Sequence, residues 1–535
     1  MNTRSRNFRK PLFHLLAYLM FLVCTATGSI ASQEQEFVTV FGSGQPELDP
    51  HRALFSSEAQ IHTALHEGLF TYDPSTLEPV KALTERWTRS EDGKTYRFVI
   101  RADARWSDGT PLTAEDVAQS WFRMLDLNAD YATFFDIIEG AKAYRLGELR
   151  DPSAVGIRTE GERTLVVRLA RPAAYFTRLL CHQSFAPIHP SLRHQQDWYA
   201  AIPFPANGPY RPVGFENGEL ILEKNQAYWD AASVEIPRLR MIFTDDDALA
   251  TSLFNTGHAH WLNGPGEYDR ILLESAIQVF PTYSTHYWFF NAREAPWNDA
   301  RVRRALALLL PWQNIRSRDI YRLPATTLVL PLPGYSKTRG IEAPDRKEAL
   351  RLLEEAGYPG GKGLPPIEIV YADFERPRTL AQTFSEAWSR ELGIEVHLKP
   401  VSMQRYMDFL TRDAKQGGFT LAHETWIGDF ADPEAFLQMW APDSPLNSAG
   451  FRDQHYQELL EKSYGAEGDR RMALLAEAET YLLQNAACLP IYHNFAASVI
   501  DTDYVLGWYQ NALDIHPYKY LRFGTPSISP NVARR

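Results

Sequence analysis

Strand-like and helix-like stretches alternate along nearly the whole of this chain, and that alternation restricts it to an α/β architecture. FVTVF at residues 37–41 reads as a strand, and it is followed by a loop, PELDPHRA at 46–53, and a helix over 58–67. TYRFVIR at 95–101 alternates cleanly; the helix after it, over 113–125, carries Val117, Trp121 and Leu125 on one stripe. Further strands are predicted at 164–169 and 220–224. A helix over 345–356 stops at Gly357 and Pro359. Strands at 367–371 and 394–398 flank a helix over 378–391, and a helix over 469–484 precedes a short buried strand at 488–492. There is no internal repeat, and the Gly/Pro-rich stretch 357–366 reads as a helix-to-strand loop. At 535 residues, two or three lobes are expected in place of one core.

The N-terminus has the form of an export signal. Arg4, Arg6, Arg9 and Lys10 give a basic start, and 11–23 is apolar apart from His14. That run is too short to span a bilayer. Ser29-Ile30-Ala31 offers small residues for cleavage after Ala31. Lipidation at Cys24 is not expected, because Val23 before it is not small. Removing 1–31 takes the net charge from −11 to about −15, which argues against nucleic acid as partner, since a phosphate binder needs a basic surface. No later apolar run reaches eighteen residues, so a soluble, periplasmic protein is expected. Cys181 and Cys488 are expected as two separate, small buried residues.

The common catalytic signatures are missing. There is no G-x-S-x-G elbow, and Gly360-Gly361-Lys362 continues to Gly363, so it is not a phosphate loop. His66-Glu67 and His423-Glu424 lack the second histidine of a zinc helix. His258 and His260 could share one face of a strand, but no third ligand lies near them in sequence. Asp429 and Asp432 are spaced as an acid pair could be, which spacing alone does not separate from loop carboxylates. No cofactor or metal is expected.

WSDGTPLTAEDV at 106–117 reads as a strand end, an Asp-Gly turn and a helix opened by Thr113 with Glu115 and Asp116 in its first turn. Together with LDPHRA at 48–53, HEGLFTYD at 66–73, NGPY at 207–210, LEKNQAYWD at 222–230 and APWNDARVRRAL at 295–306, it resembles the bacterial extracellular solute-binding proteins of family 5, the oligopeptide- and dipeptide-binding proteins of ABC importers. The likeness runs from about Phe37 to Leu521. It implies a bilobed periplasmic-binding-protein fold (type II, or cluster C-like) with an extra domain inserted in lobe I. Lobe I would comprise 32–66, 190–283 and 496–535, the inserted domain 67–189, and lobe II 284–495.

The resemblance also implies a site. Asp429, in HETWIGDFADP at 423–433, matches an aspartate that meets a peptide's ammonium end, and Trp426 matches the tryptophan before it. Tyr131 matches a tyrosine lining the peptide channel. Tyr406 stands where a channel-wall tryptophan is common, and Arg412 lies near a basic residue serving the peptide's carboxylate. His423 replaces an arginine, so neutral imidazole stands where a bidentate contact would form. GHAH at 257–260 and Pro311-Trp312 also depart from the family pattern. The implied function is a non-catalytic, monomeric receptor that captures short peptides and hands them to an inner-membrane permease. A receptor for a metal chelate, oligosaccharide or cell-wall peptide is the alternative. A secreted hydrolase using Asp429 and Asp432 is the distant one.

Overall fold

One mixed sheet of eleven strands runs through the molecule, and two of its strands are far longer than the rest. The computed structural model describes residues 36–524 except 43, 45, 196, 199–200, 318–321, 333, 336, 443 and 445. The expected signal segment and Cys24 lie outside the described residues. Both remaining cysteines are free, Cys488 buried and Cys181 partly so.

The long strands are Ile277–Phe290 and Cys488–Ile500, paired antiparallel. On one side of this pair lie Trp261–Asn263, Glu36–Phe41, Arg238–Phe243, Glu219–Lys224 and Tyr210–Glu216; on the other lie Leu421–Ile427, Ile367–Ala372 and Val396–Val401. Among the described residues the chain crosses between the two half-sheets only along this pair. Their register breaks between Pro281 and Thr285. There Thr282 Oγ1 donates to the Asn494 carbonyl at 3.1 Å and Asn494 Nδ2 donates to Ser284 Oγ at 2.8 Å.

Sequence patterning predicts the second of these strands only at its start and does not predict the first. The cause is burial: the last eight residues of Ile277–Phe290 are all buried, so the period-two signal of a half-exposed strand is erased. Pro281 also interrupts the β-forming run. The other predicted elements are present with shifts of a few residues, such as the helix Glu375–Leu392 and the strand Val396–Val401.

A separate four-stranded antiparallel sheet, Thr84–Arg89, Thr95–Ile100, Thr164–Arg168 and Ile157–Glu160 in spatial order, belongs to the stretch 67–189. Its apolar core, including Phe98, Trp121 and Phe176, is continuous with residues beside the second half-sheet such as Tyr283, Phe430 and Phe436. Polar joints tie it to the first half-sheet. Asp49 makes a buried pair with Arg123, closest at 2.5 Å. Glu67 accepts from Tyr228 Oη at 2.5 Å and Trp229 Nε1 at 2.6 Å, and pairs with Lys519 at 3.1 Å. Thr113 and Asp116 form a reciprocal cap, and Asp116 holds Arg193 at 2.6 Å.

The NGPY string is another joint. Asn207 brackets the Glu67 main chain, its Nδ2 donating to the carbonyl at 2.7 Å and its Oδ1 accepting from the N–H at 3.2 Å. Gly208 donates to Leu65 O at 3.0 Å, and a Cβ there would meet Ala64 O and Leu65 C at 2.6 Å. Both obstacles are backbone, so they cannot swing aside. Gly208→Ala is therefore expected to cost about 1–3 kcal/mol of unfolding free energy. A urea midpoint equal to wild type would contradict this close approach.

Candidate functional site

A cavity of about 510 Å³ lies between the 67–189 unit and the end of the strand Leu421–Ile427. Gly428 ends that strand because no side chain fits: a Cβ would sit 2.3 Å from the Tyr283 ring and 2.8 Å from Phe436. Its N–H donates to Tyr283 O at 2.7 Å, and the next residue, Asp429, turns into the cavity. Beyond it, Asp432 caps the Glu434 N–H at 3.0 Å and takes both terminal nitrogens of Arg471, at 2.7 and 2.8 Å. The loop is thus clamped on both sides of Asp429.

The opposite wall is the turn Asp130–Ile137, with Arg171 and Tyr175. Tyr131 Oη donates to Asp429 Oδ1 at 3.3 Å. The Tyr131 ring packs edge-on against His182, centroids 4.5 Å apart, and burial keeps that imidazole neutral with its pKa lowered to about 3. Trp426 is fixed by its indole N–H, which donates to Ala435 O at 2.8 Å. The two walls touch directly: Tyr175 stacks on Phe430 with centroids 5.5 Å apart, and Arg171 approaches Glu434 to 3.6 Å.

Asp429 dominates the electrostatics of this space. Burial pushes its carboxyl up to about 6, with the Tyr131 hydroxyl acting in the opposite sense. Among the described residues no cation pairs with it. A buried carboxylate holding one hydroxyl donor and no counter-charge suits an organic cation, above all an ammonium that brings several donors at once.

The six residues implied by resemblance separate into two groups. Tyr131, Trp426 and Asp429 line the cavity; Tyr406, His423 and Arg412 do not. Strand parity is the reason. Side chains alternate along Leu421–Ile427, so His423 faces away from Trp426 and packs against Trp288 and His286. Its Nε2 accepts from the Ala372 N–H at 3.2 Å, and burial lowers its pKa to about 3. Tyr406 stacks on it, centroids 4.6 Å apart, and the Tyr406 hydroxyl both accepts the His423 N–H at 2.8 Å and donates to its carbonyl at 2.7 Å. This plugs the gap where the strands Ile367–Ala372 and Leu421–Ile427 splay after pairing at Ile369 and Leu421. Arg412 is exposed and paired with Asp408 at 3.3 Å.

The splay leaves an open edge. Because the main-chain groups of His423 point to Tyr406 and the Gly428 N–H points to Tyr283, the main-chain groups of Thr425 and Ile427 point away from the long strand Ile277–Phe290. Both residues are exposed. No sequence signal marks this edge; it follows from the divergence of two strands.

Other candidates lie apart. Asp432 is buried against Arg471 and cannot act beside Asp429 as an acid pair. His260 accepts the Val38 N–H at Nδ1, 3.0 Å, and stacks on Phe37, whereas His258 contacts Thr256. Among the described residues no group of three or more His, Cys, Asp or Glu is placed to hold a metal. No described helix is long and apolar enough to cross a membrane.

Comparison with known proteins gives a consistent setting. The profile described as "Bacterial extracellular solute-binding proteins, family 5 Middle" matches residues 78–448. The periplasmic oligopeptide-binding protein OppA of Salmonella typhimurium is 28% identical over 500 residues, covering 88% of this chain and 89% of that one. The probable deoxycholate-binding periplasmic protein YgiS of Escherichia coli is 29% identical over 465 residues, covering 83% and 85%. Among solved structures, the unliganded open form of the periplasmic murein tripeptide binding protein MppA superposes with a TM-score of 0.76 at 24% identity, covering 92% of this chain and 96% of that one. Haemophilus influenzae OppA in complex with the peptide RPPGFSPFR gives 0.68 at 22% identity, covering 92% and 99%. The fold is therefore that of the bilobed periplasmic binding proteins.

Proposed function

This chain belongs to the bacterial extracellular solute-binding proteins of family 5, and from that premise we propose that it captures short peptides between two lobes and delivers them to an ABC importer. The peptide's terminal ammonium pairs with Asp429, Tyr131 and Trp426 wall the space around it, and the peptide backbone adds to the open edge at Thr425 and Ile427. The observation that carries this reading is Asp429, a carboxylate that faces the cavity, accepts one hydroxyl donor and, among the described residues, is paired with no cation. Binding would leave side chains in the remaining volume, where bridging waters adapt to their shapes.

The lobes we assign are 32–66 with 190–283 and 496–535, and 284–495, the 67–189 unit being inserted in the first. The register break at Pro281–Thr285 supports that boundary. The protein acts as a monomer in the periplasm, exported by the segment 1–31 without a lipid anchor, and it is not an enzyme. The last point draws support from Asp432, whose carboxylate is spent on Arg471. Relatives named for oligopeptides favour a peptide over a metal chelate or sugar, and the packing of His260 removes one motive for the chelate.

A thermal-shift panel tests the proposal. Tri- to pentapeptides with free amines are expected to raise Tm, while their N-acetylated forms, nickel chelates and oligosaccharides leave it unchanged. Equal shifts with free and acetylated peptides would refute the ammonium seat. Stabilisation by chelates or sugars but not by peptides would overturn the peptide reading.

A further inference from the structure

The strand that carries Trp426 presents a second carboxylate on the same face. Glu424 stands two residues before Trp426, and side-chain alternation turns both toward the cavity side of the sheet. Glu424 opens into a small pocket of about 10 Å³ whose other walls include Tyr287, Trp440 and Asn447. This pocket and the large cavity are built from the same three segments. The strand gives Glu424 to one and Trp426 to the other. The turn after the helix Glu434–Leu437 gives Trp440 to one and Gln438 to the other, and Leu446 borders both.

The carboxylate is poorly provided for. It accepts one hydrogen bond, from Tyr287 Oη at 2.9 Å, and burial pushes it up to about 7 with no cation acting on it. Across the pocket the Trp440 indole nitrogen is buried without a partner. Only the ionised carboxylate is costly there, so a cation entering the pocket would hold Glu424 in its charged form. The space is about that of one water molecule, which is also the size of an ammonium head. Leu446, at 42% exposure, borders both the pocket and the large cavity and so stands between them.

We propose that the Glu424 pocket is a side-chain subsite for a primary ammonium, so that the protein prefers peptides with a lysine-like residue at one fixed position. The subsite rests on the peptide reading above, adding selectivity to it. A lysine-like stem enters past Leu446, and its charged head meets Glu424 while the peptide's own terminus remains at Asp429.

Isothermal titration on the full-length mature protein tests this with tri- and tetra-alanine peptides in which one lysine, or one uncharged norleucine, is moved through each position. At one position lysine is expected to bind at least tenfold more tightly than norleucine. Glu424→Gln is expected to bring that ratio close to one, and Tyr287→Phe to preserve it. A wild-type ratio near one at every position overturns the subsite even if the variant does not fold, as does a ratio that survives Glu424→Gln. If wild type binds no alanine peptide either, the peptide reading fails with it; if alanine peptides bind without a lysine preference, only the subsite fails.

Discussion

Asp429→Asn lowers the affinity for free-amine peptides by about 2–4 kcal/mol, the range expected when a buried charge pair loses one member. In titration calorimetry this is roughly a 30- to 1,000-fold rise in Kd. The penalty of N-acetylation should vanish in the variant, since both changes remove the same contact. Acidity gives an independent readout. The free carboxyl titrates at about 6, raised by burial, and only its ionised form attracts an ammonium. Wild-type affinity is therefore full above that pH and falls roughly tenfold per unit below it, while the variant's stays flat. Stability moves the other way. A carboxyl whose folded pKa lies above the ordinary 3.8 costs stability once pH exceeds the folded value, and this cost is gone below 3.8. The ligand-free variant should thus melt higher than wild type at pH 7.5. Unchanged affinity with a lowered Tm would mean that Asp429 is a structural loop residue.

Arg471→Met is expected to cost about 3–5 kcal/mol of unfolding free energy, measured by urea denaturation. Arg471 sits in the helix Gly468–Gln484 with its side chain only 4% exposed, holding Asp432 with both terminal nitrogens. Behind them Glu434 is fully buried, its oxygens 3.6 Å from Arg171 and 3.7 Å from Arg471. Burial raises its pKa against the pull of these two arginines. Removing Arg471 takes both close donors from Asp432 and leaves Glu434 with Arg171 alone. The double change Arg471→Met with Asp432→Asn should recover much of the loss. A loss below about 1 kcal/mol for the single change would show that this network does not set the stability of the loop bearing Asp429.

The strings most legible in the sequence are joints, not walls of the cavity. Asp49, Glu67, Asp116 and Asn207 fasten the 67–189 unit to the first half-sheet, while Thr113 caps a helix inside that unit and Gly208 makes a close backbone approach beside it. Such contacts demand particular residue types at fixed spacing, which is why they can be read from one chain. The cavity itself was only half visible. Asp429 and Trp426 share a short loop-proximal segment with a recognisable pattern, but the face on which His423 lies depends on strand parity. Tyr406 lies outside the cavity because two strands diverge, a tertiary event without local pattern. Glu424 was read only as a failed zinc motif, since its significance comes from Tyr287 and Trp440, distant in the chain.

Among the described residues, the chain passes between the half-sheets only along the two strands Ile277–Phe290 and Cys488–Ile500. Two-stranded ribbons carry more twist than broad sheets, so a rotation of one half-sheet against the other would be taken up along this ribbon. Rotation about it displaces atoms in proportion to their distance from the axis, so the far rims of the molecule must sweep widely while the Tyr283–Gly428 contact hardly shifts. Asp429 follows directly on that contact, whereas its hydroxyl donor Tyr131 belongs to the 67–189 unit, so on the lobe boundaries proposed here a twist of the ribbon would change the Tyr131–Asp429 separation while leaving the Asp429 loop in place.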